Sequence, residues 1–270
     1  MGLPVLVLGY SGSGKSASMR NFGADEISLV NVNGKPLPFR TKFTHSISSD
    51  SYSDITNFIR TQKTKAIVID DVQYLMSNEF MRRAKETGFQ KFTDIGKNFW
   101  DLIKAVETLP SDTVVYFLSH LETGEDGRQK AKTIGKLLDD KITVEGMFTI
   151  VLKTVASDGK YAFATQTDGT DTCKSPIDLF SSMYIPNDLK LVDESIRTYY
   201  GFVPEQKCSD CGNVIMPAQK KTVRDIVDGT TKSYGKPLCW NCAVKEMNKR
   251  KKANVNAAET VSGGTGAASA

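Results

Sequence analysis

The chain has 270 residues, 40% of them hydrophobic and 24% charged, with a formal net charge of +4. This is ordinary for a globular protein and long enough for an α/β domain of about 200 residues plus a small second module. No run of about 18 apolar residues occurs, which excludes a membrane-spanning helix, and the short N-terminal apolar stretch leads straight into a glycine-rich motif instead of a cleavage site, so a cytoplasmic location is expected.

Residues 3–8 predict a buried strand, and the motif after it, Gly9-Tyr10-Ser11-Gly12-Ser13-Gly14-Lys15-Ser16, spells a complete G-x-x-x-x-G-K-S phosphate-binding loop. With a helix expected over 16–21, the strand, turn and helix N-terminus present backbone N–H groups to an anion. In this reading Gly9, Ser11, Gly12, Ser13 and Gly14 form the cradle, Lys15 reaches the β- and γ-phosphates, and Ser16 is a ligand to Mg²⁺. The expected ligand is a nucleoside triphosphate, ATP.

Further strands are predicted at 27–32, 65–69, 113–118, 147–154 and 160–165, with helices at 52–62 and 92–108. Alternation of these elements is the signature of an α/β fold with a mostly parallel sheet. The strand at 65–69 runs into Asp70-Asp71, and the parallel sheet is expected to place it next to the phosphate loop. Asp70 then belongs to the Mg²⁺ site, because a hard dication takes oxygen ligands. Asp71 is the candidate to orient or deprotonate an attacking water, although that base could sit at another strand end. The strand at 113–118 ends in Ser119-His120, on the edge shared with the phosphate loop. His120 is a candidate sensor of the γ-phosphate, or simply a hydrogen-bonded residue at a strand end. Asp158-Gly159 marks a tight turn that makes the last two strands an antiparallel hairpin. The core domain is expected to span residues 1–202.

Residues 203–252 form a separate module. Cys208-Ser209-Asp210-Cys211 and Cys239-Trp240-Asn241-Cys242 have the spacing with which paired thiolates hold a tetrahedral zinc, across a 27-residue gap that a longer hairpin accommodates. The expectation is a structural Zn²⁺ on Cys208, Cys211, Cys239 and Cys242 in a zinc-ribbon-like module. Disulfides are disfavoured in a cytoplasmic setting. Between 205 and 252, Lys and Arg outnumber Asp and Glu by eleven to five, leaving the rest of the chain near neutral. A basic module of this kind suits phosphate backbones, though such modules also bind proteins. Residues 253–270 are mostly Ala, Gly, Ser, Asn and Thr, and disorder is expected there.

Several longer tracts carry a resemblance: Met19-Arg20-Asn21-Phe22, Asn33-Gly34-Lys35-Pro36-Leu37-Pro38-Phe39, Ile69-Asp70-Asp71-Val72-Gln73-Tyr74-Leu75-Met76, Asn78-Glu79-Phe80-Met81-Arg82-Arg83, Tyr116-Phe117-Leu118-Ser119-His120 and Gly146-Met147-Phe148-Thr149-Ile150-Val151-Leu152. Over roughly residues 3–200 the chain resembles the phage-encoded, RecA-like ATP-binding proteins of the Sak-type single-strand annealing group. The resemblance implies a RecA-like P-loop core and DNA-stimulated ATP hydrolysis in work on single-stranded DNA during phage recombination or replication. It also implies a homo-oligomer in the host cytoplasm, with a phage or host replication or recombination protein as a candidate partner. Gly9, Gly14, Lys15 and Ser16 correspond to triphosphate-binding positions and Asp70 to the Mg²⁺ site. Ala17 departs from the Thr common in such loops, and the cysteine module is an addition to the core pattern. The same resemblance makes 121–141, with Arg128, Lys130, Lys132 and Lys136, either a DNA-tracking loop or a solvated connection. A second reading stays open: a nucleotide-gated adaptor or loader that recruits a replication partner through the zinc module.

Overall fold

The computed structural model describes residues 1–262 apart from 136, 204 and 220, and side chains for these except 139, 140 and 254–262. The chain divides into two compact units, Met1–Ile196 and a second from Arg197 onward.

The first unit is α/β. Its strands are β1 (Leu3–Gly9), β2 (Ile27–Asn31), β3 (His45–Ile47), β4 (Ala66–Asp70), β5 (Val114–Thr123), β6 (Gln129–Ala131), β7 (Ile150–Ser157), β8 (Lys160–Ala164) and β9 (Tyr184–Pro186). The sheet order is β3-β2-β4-β5-β1-β7-β8-β9, with β6 paired to β5 off this path. From β3 to β7 all neighbours in that order are parallel, and β8 and β9 continue antiparallel. The Asp70 strand does not adjoin the phosphate-loop strand, because β5 lies between them, paired to β4 on one side and β1 on the other.

The parallel strands are continuous apolar runs because both of their faces are covered. On one face, α1 (Tyr52–Thr61), α2 (Gln73–Arg82) and α3 (Gln90–Val106) bring Ile55, Ile59, Leu75, Met76, Ile95, Phe99, Leu102 and Ile103 into one buried cluster with Leu6, Leu8, Val30, Ile67, Ile69, Val115 and Phe117. Phe117 is fully buried and meets Phe148 edge-on, ring centres 5.4 Å apart. Strand residues of opposite parity, including Val5, Val7, Val68, Tyr116 and Leu118, are buried as well, and the Tyr116 hydroxyl donates to Asp193 of α4 (Leu189–Tyr199) at 2.7 Å. Asp158 and Gly159 have φ of 50° and 72°, the turn that closes the β7–β8 hairpin.

Two local expectations are revised. Ser16–Asn21 is a 3-10 segment, not an α-helix. Ser18 folds its hydroxyl onto the Lys15 carbonyl at 2.6 Å, and such side-chain bonds compete with regular helix. Strand β7 starts at Ile150 instead of 147, because Val144–Met147 forms a 3-10 turn after Thr143, whose φ is 60°.

The second unit has a small core of Cys208, Ile215, Ile226, Leu238 and Ala243. It is not a β-ribbon. Among the described residues its pairing is limited to the bridges Lys207–Val214 and Ala218–Lys221, and the interval between cysteine pairs holds α5 (Val223–Tyr234). A reciprocal capping box at Thr222 and Asp225 starts that helix and Gly235, at φ 75°, stops it. Helix α6 (Trp240–Ser262) extends into the segment expected to be disordered, where Ala253, Ala257, Ala258 and Glu259 favour helix; the expected tail at 263–270 lies outside the described residues.

Phe117→Ala removes the centre of the first-unit core and is expected to cost about 3–5 kcal/mol of stability, read as a lower urea midpoint at unchanged slope.

Candidate functional site

Four parallel strands deliver functional side chains to one sheet edge. The register sets Gly9 of β1 opposite His120 of β5, Ile69 of β4 opposite Phe117, and Asn31 of β2 opposite Asp70. Gly9, Lys15, Ser16, Asp70, Asp71 and His120 are thereby brought together from separate stretches of chain.

The loop glycines admit no other residue without a clash or backbone strain. A Cβ on Gly9 would lie 1.8 Å from Thr154 Oγ1 and 2.5 Å from Ser13 Oγ. Gly12 and Gly14 have φ of 76° and 98°, open to glycine alone without strain. Ser13 is pinned by its hydroxyl to the Tyr10 carbonyl (2.6 Å) and to Thr154 Oγ1 (2.5 Å). Ser11 is exposed at the loop tip. Tyr10 reaches the β5–β6 hairpin, its hydroxyl 2.7 Å from Thr123 Oγ1.

Lys15 is buried and folds back on the loop, donating to the carbonyls of Gly9 and Tyr10 at 2.9 Å each. Burial pulls its pKa down to about 8, against the opposing pull of Asp71 and Asp70. The Ser16 hydroxyl donates to Asp70 Oδ1 at 3.0 Å. Burial pushes Asp70 up to about 6, which the Ser16 bond only partly offsets. Ser16 and Asp70 therefore place a hydroxyl and a poorly solvated carboxylate side by side. That donor set fits a hard dication, whose charge would compensate the desolvated carboxylate.

Asp71 takes a left-handed conformation, φ 60°. Its carboxylate meets His120 Nε2 at 3.4 Å, Asn33 Nδ2 at 3.1 Å and Lys35 Nζ at 3.4 Å. Burial works to raise its pKa, but the bonds from His120 and Asn33 and the Lys35 charge prevail and hold it near 2. So weak a base takes a proton from water poorly at neutral pH; it is suited to orienting His120 and, through it, a nucleophile. His120 is fixed in turn by Tyr74, edge-on at 6.0 Å, and by Gln73, whose side-chain oxygen accepts the His120 backbone N–H at 3.1 Å. Asn33, Lys35, Gln73 and Thr154 received no site role from the sequence. The available signal for Asn33 and Lys35 was their position just beyond β2, at the end of a parallel strand.

The stretch 121–141 is not one open loop. Strand β5 continues to Thr123, turns through Gly124 and Gly127, and returns as β6 with Glu122 opposite Lys130. Arg128 and Lys132 are exposed, while Lys136 lies outside the described residues.

In the second unit Cys208, Cys211, Cys239 and Cys242 converge, their sulfurs all within 4.8 Å of one another. Cys208 and Cys211 sit on a knuckle closed by Gly212 N–H to Cys208 carbonyl at 2.9 Å, with Gly212 at φ 72°. Cys239 precedes α6 and Cys242 lies in its first turn. The Cys211–Cys239 sulfur separation is 3.8 Å, and zinc–sulfur bonds of about 2.3 Å in a tetrahedron require an edge of about 3.8 Å. Burial resists ionisation of Cys208, but N–H groups of Cys239, Cys211 and Asp210 bring it down to about 6. Cys242 is pushed up to about 12, first by its contact with Cys239. Four converging sulfurs at this spacing could share one cation, so the cluster fits a bound metal such as zinc.

Comparison with family models and with curated proteins finds no match for this chain.

Two outcomes are expected. The folded-state pKa of Lys15 lies below its unfolded value near 10.5, so its unfavourable burial is relieved as pH rises from about 8 toward 10.5. Lys15→Met should therefore raise the unfolding free energy of the ligand-free protein at pH 7, by up to about 2–3 kcal/mol, and flatten its rise between pH 8 and 10.5; urea titrations across that range measure both. Purified protein should carry one zinc per chain by elemental analysis, and Cys208→Ser or a strong chelator should remove it and unfold the second unit, since so small a core depends on the metal.

Proposed function

We propose that the chain is an ATPase that binds ATP with Mg²⁺ at residues 9–16 and couples its hydrolysis to work on single-stranded DNA. The observation that carries the nucleotide part is the joining of Ser16 to Asp70 beside a complete phosphate loop, with Asp71 and His120 alongside. In this reading the backbone N–H groups of the loop and Lys15 hold the phosphate chain, and Ser16 and Asp70 hold Mg²⁺. The metal's contribution when bound is to neutralise phosphate charge. Asp71 keeps its negative charge through the neutral range and holds His120 through Nε2, which fixes where His120 meets a water or the terminal phosphate. Lys35, 3.4 Å from Asp71 and 5.0 Å from the Tyr74 ring centre, supplies an exposed cation at the same edge.

The DNA part is supported by the resemblance of the tracts in residues 3–200 and by the charge of the second unit. From residue 245 the exposed surface of α6 carries Lys245, Lys249, Lys251 and Lys252, with Lys245, Lys249 and Lys252 spaced to share one face. Arg250 lies over the Tyr234 ring at 4.7 Å and donates to the Ser233 carbonyl, which ties that stretch of α6 to α5. An exposed cationic face on a braced helix suits backbone contact without base readout.

Single-stranded DNA should stimulate ATP hydrolysis, and Lys15→Ala should abolish hydrolysis in its presence or absence. Asp71→Asn should lower kcat by about 10²-fold or more while ATP binding survives. Replacing Lys245, Lys249 and Lys252 together by Ala should weaken DNA binding and reduce the log–log salt slope by about 2, at roughly 0.7 per lost phosphate contact. Absence of DNA binding with ATP present would refute the DNA part, and undiminished hydrolysis by Lys15→Ala would refute the site.

A further inference from the structure

Beyond Lys15, on the side of the loop away from Asp71, lies a cluster that phosphate binding does not use. Tyr161 of β8 and Asn187, just past β9, close on Gly14: a Cβ there would come within 2.9 Å of Tyr161 Cδ1 and 3.3 Å of both Asn187 Oδ1 and Nδ2. Tyr161 is 49% exposed, whereas Asn187 is only 2% exposed. The ring is thus anchored at one edge against the loop and open over the rest. Asn187 is held in place by Arg20, which donates to its carbonyl at 2.7 Å and more weakly to Oδ1 at 3.4 Å. The neighbouring Asp188 accepts from Asn21 at 2.6 Å, so the segment after β9 is fastened to the turn that follows the loop. Despite this anchoring, the buried Asn187 Nδ2 has no acceptor. An unsatisfied buried donor is uncommon enough to need a reason.

We infer that Tyr161 and Asn187 form the nucleoside subsite of the phosphate loop, with Arg20 as its positioning residue. Tyr161 offers a stacking face to an aromatic base, and the Asn187 amide donates to an acceptor on the nucleoside. The inference rests on the nucleotide reading of residues 9–16 and adds to it where the base lies and what holds it. Stacking is tolerant of base identity because every base has a π-face, so the subsite distinguishes a nucleotide from a bare polyphosphate far better than one base from another.

The test compares Mg²⁺-ATP with Mg²⁺-tripolyphosphate by calorimetry on the full chain. Wild type should bind ATP at least about tenfold tighter than tripolyphosphate. Tyr161→Ala, at a half-exposed position, should lose about tenfold or more in ATP affinity with tripolyphosphate affinity unchanged, and Tyr161→Phe should keep the wild-type ratio. Asn187→Ala should likewise lower the ratio, whereas a change that only loosened the loop would weaken both ligands equally. Equal weakening in both variants, or an ATP affinity that Tyr161→Ala leaves intact, would overturn the subsite alone. Failure of wild type to bind either ligand would overturn the nucleotide reading and the subsite with it.

Discussion

The hydrogen bond from Ser16 Oγ to Asp70 Oδ1 is the constraint on which the candidate site depends. It joins residues 54 positions apart and spans the tips of two strands that are not neighbours. Strand β5 fills the gap, and its register then leaves no choice about what stands opposite Gly9: it is His120. The next residue after Asp70 must turn its side chain elsewhere, and Asp71 does so through a left-handed backbone that non-glycine residues enter only at some strain. Two adjacent carboxylates thereby acquire opposite character. Asp70 is desolvated and reluctant to ionise, while Asp71 is surrounded by donors and ionised throughout the neutral range.

Much of this was legible in the sequence wherever the signal is local. The apolar runs at β1, β4 and β5, the glycine pattern of residues 9–16, the Asp158-Gly159 turn and the cysteine spacing each state their structure within a few residues. Strand order is a different kind of information. Nothing within Ala66–Asp70 says that β5 will separate it from β1, because the decision is made by how crossovers pack. The partners of Asp71 escaped for the same reason: Asn33 and Lys35 belong to a turn whose neighbour is set by the β2–β4 pairing. Helix α4 was missed although Leu189, Val192 and Ile196 keep helical spacing and are all buried, and the short strands β3 and β9, three residues each, are too brief to show alternation.

The second unit shows how one cue can mislead beside another that was available. Two C-x-x-C pairs suggested ribbons, since paired knuckles so often sit on hairpins. Thr222 and Asp225, three residues apart ahead of an apolar pattern, announce a helix instead. The consequence is a four-cysteine cluster with one knuckle and one helix start, in which the charged length of α6 leads directly away from the sulfurs.

The folded-back Lys15 gives the loop a further property. Its ammonium occupies itself with the Gly9 and Tyr10 carbonyls, so any anion that recruits it must first displace two hydrogen bonds at 2.9 Å. The lysine is thus already partnered, and an anion that recruited it would take the place of the two carbonyls. In the proposed nucleotide site a chain of phosphates would engage lysine, loop amides and Ser16 at once, where an anion with few oxygens would engage fewer of them. Under the nucleotide proposal, the loop would favour ligands by the length of their phosphate chain.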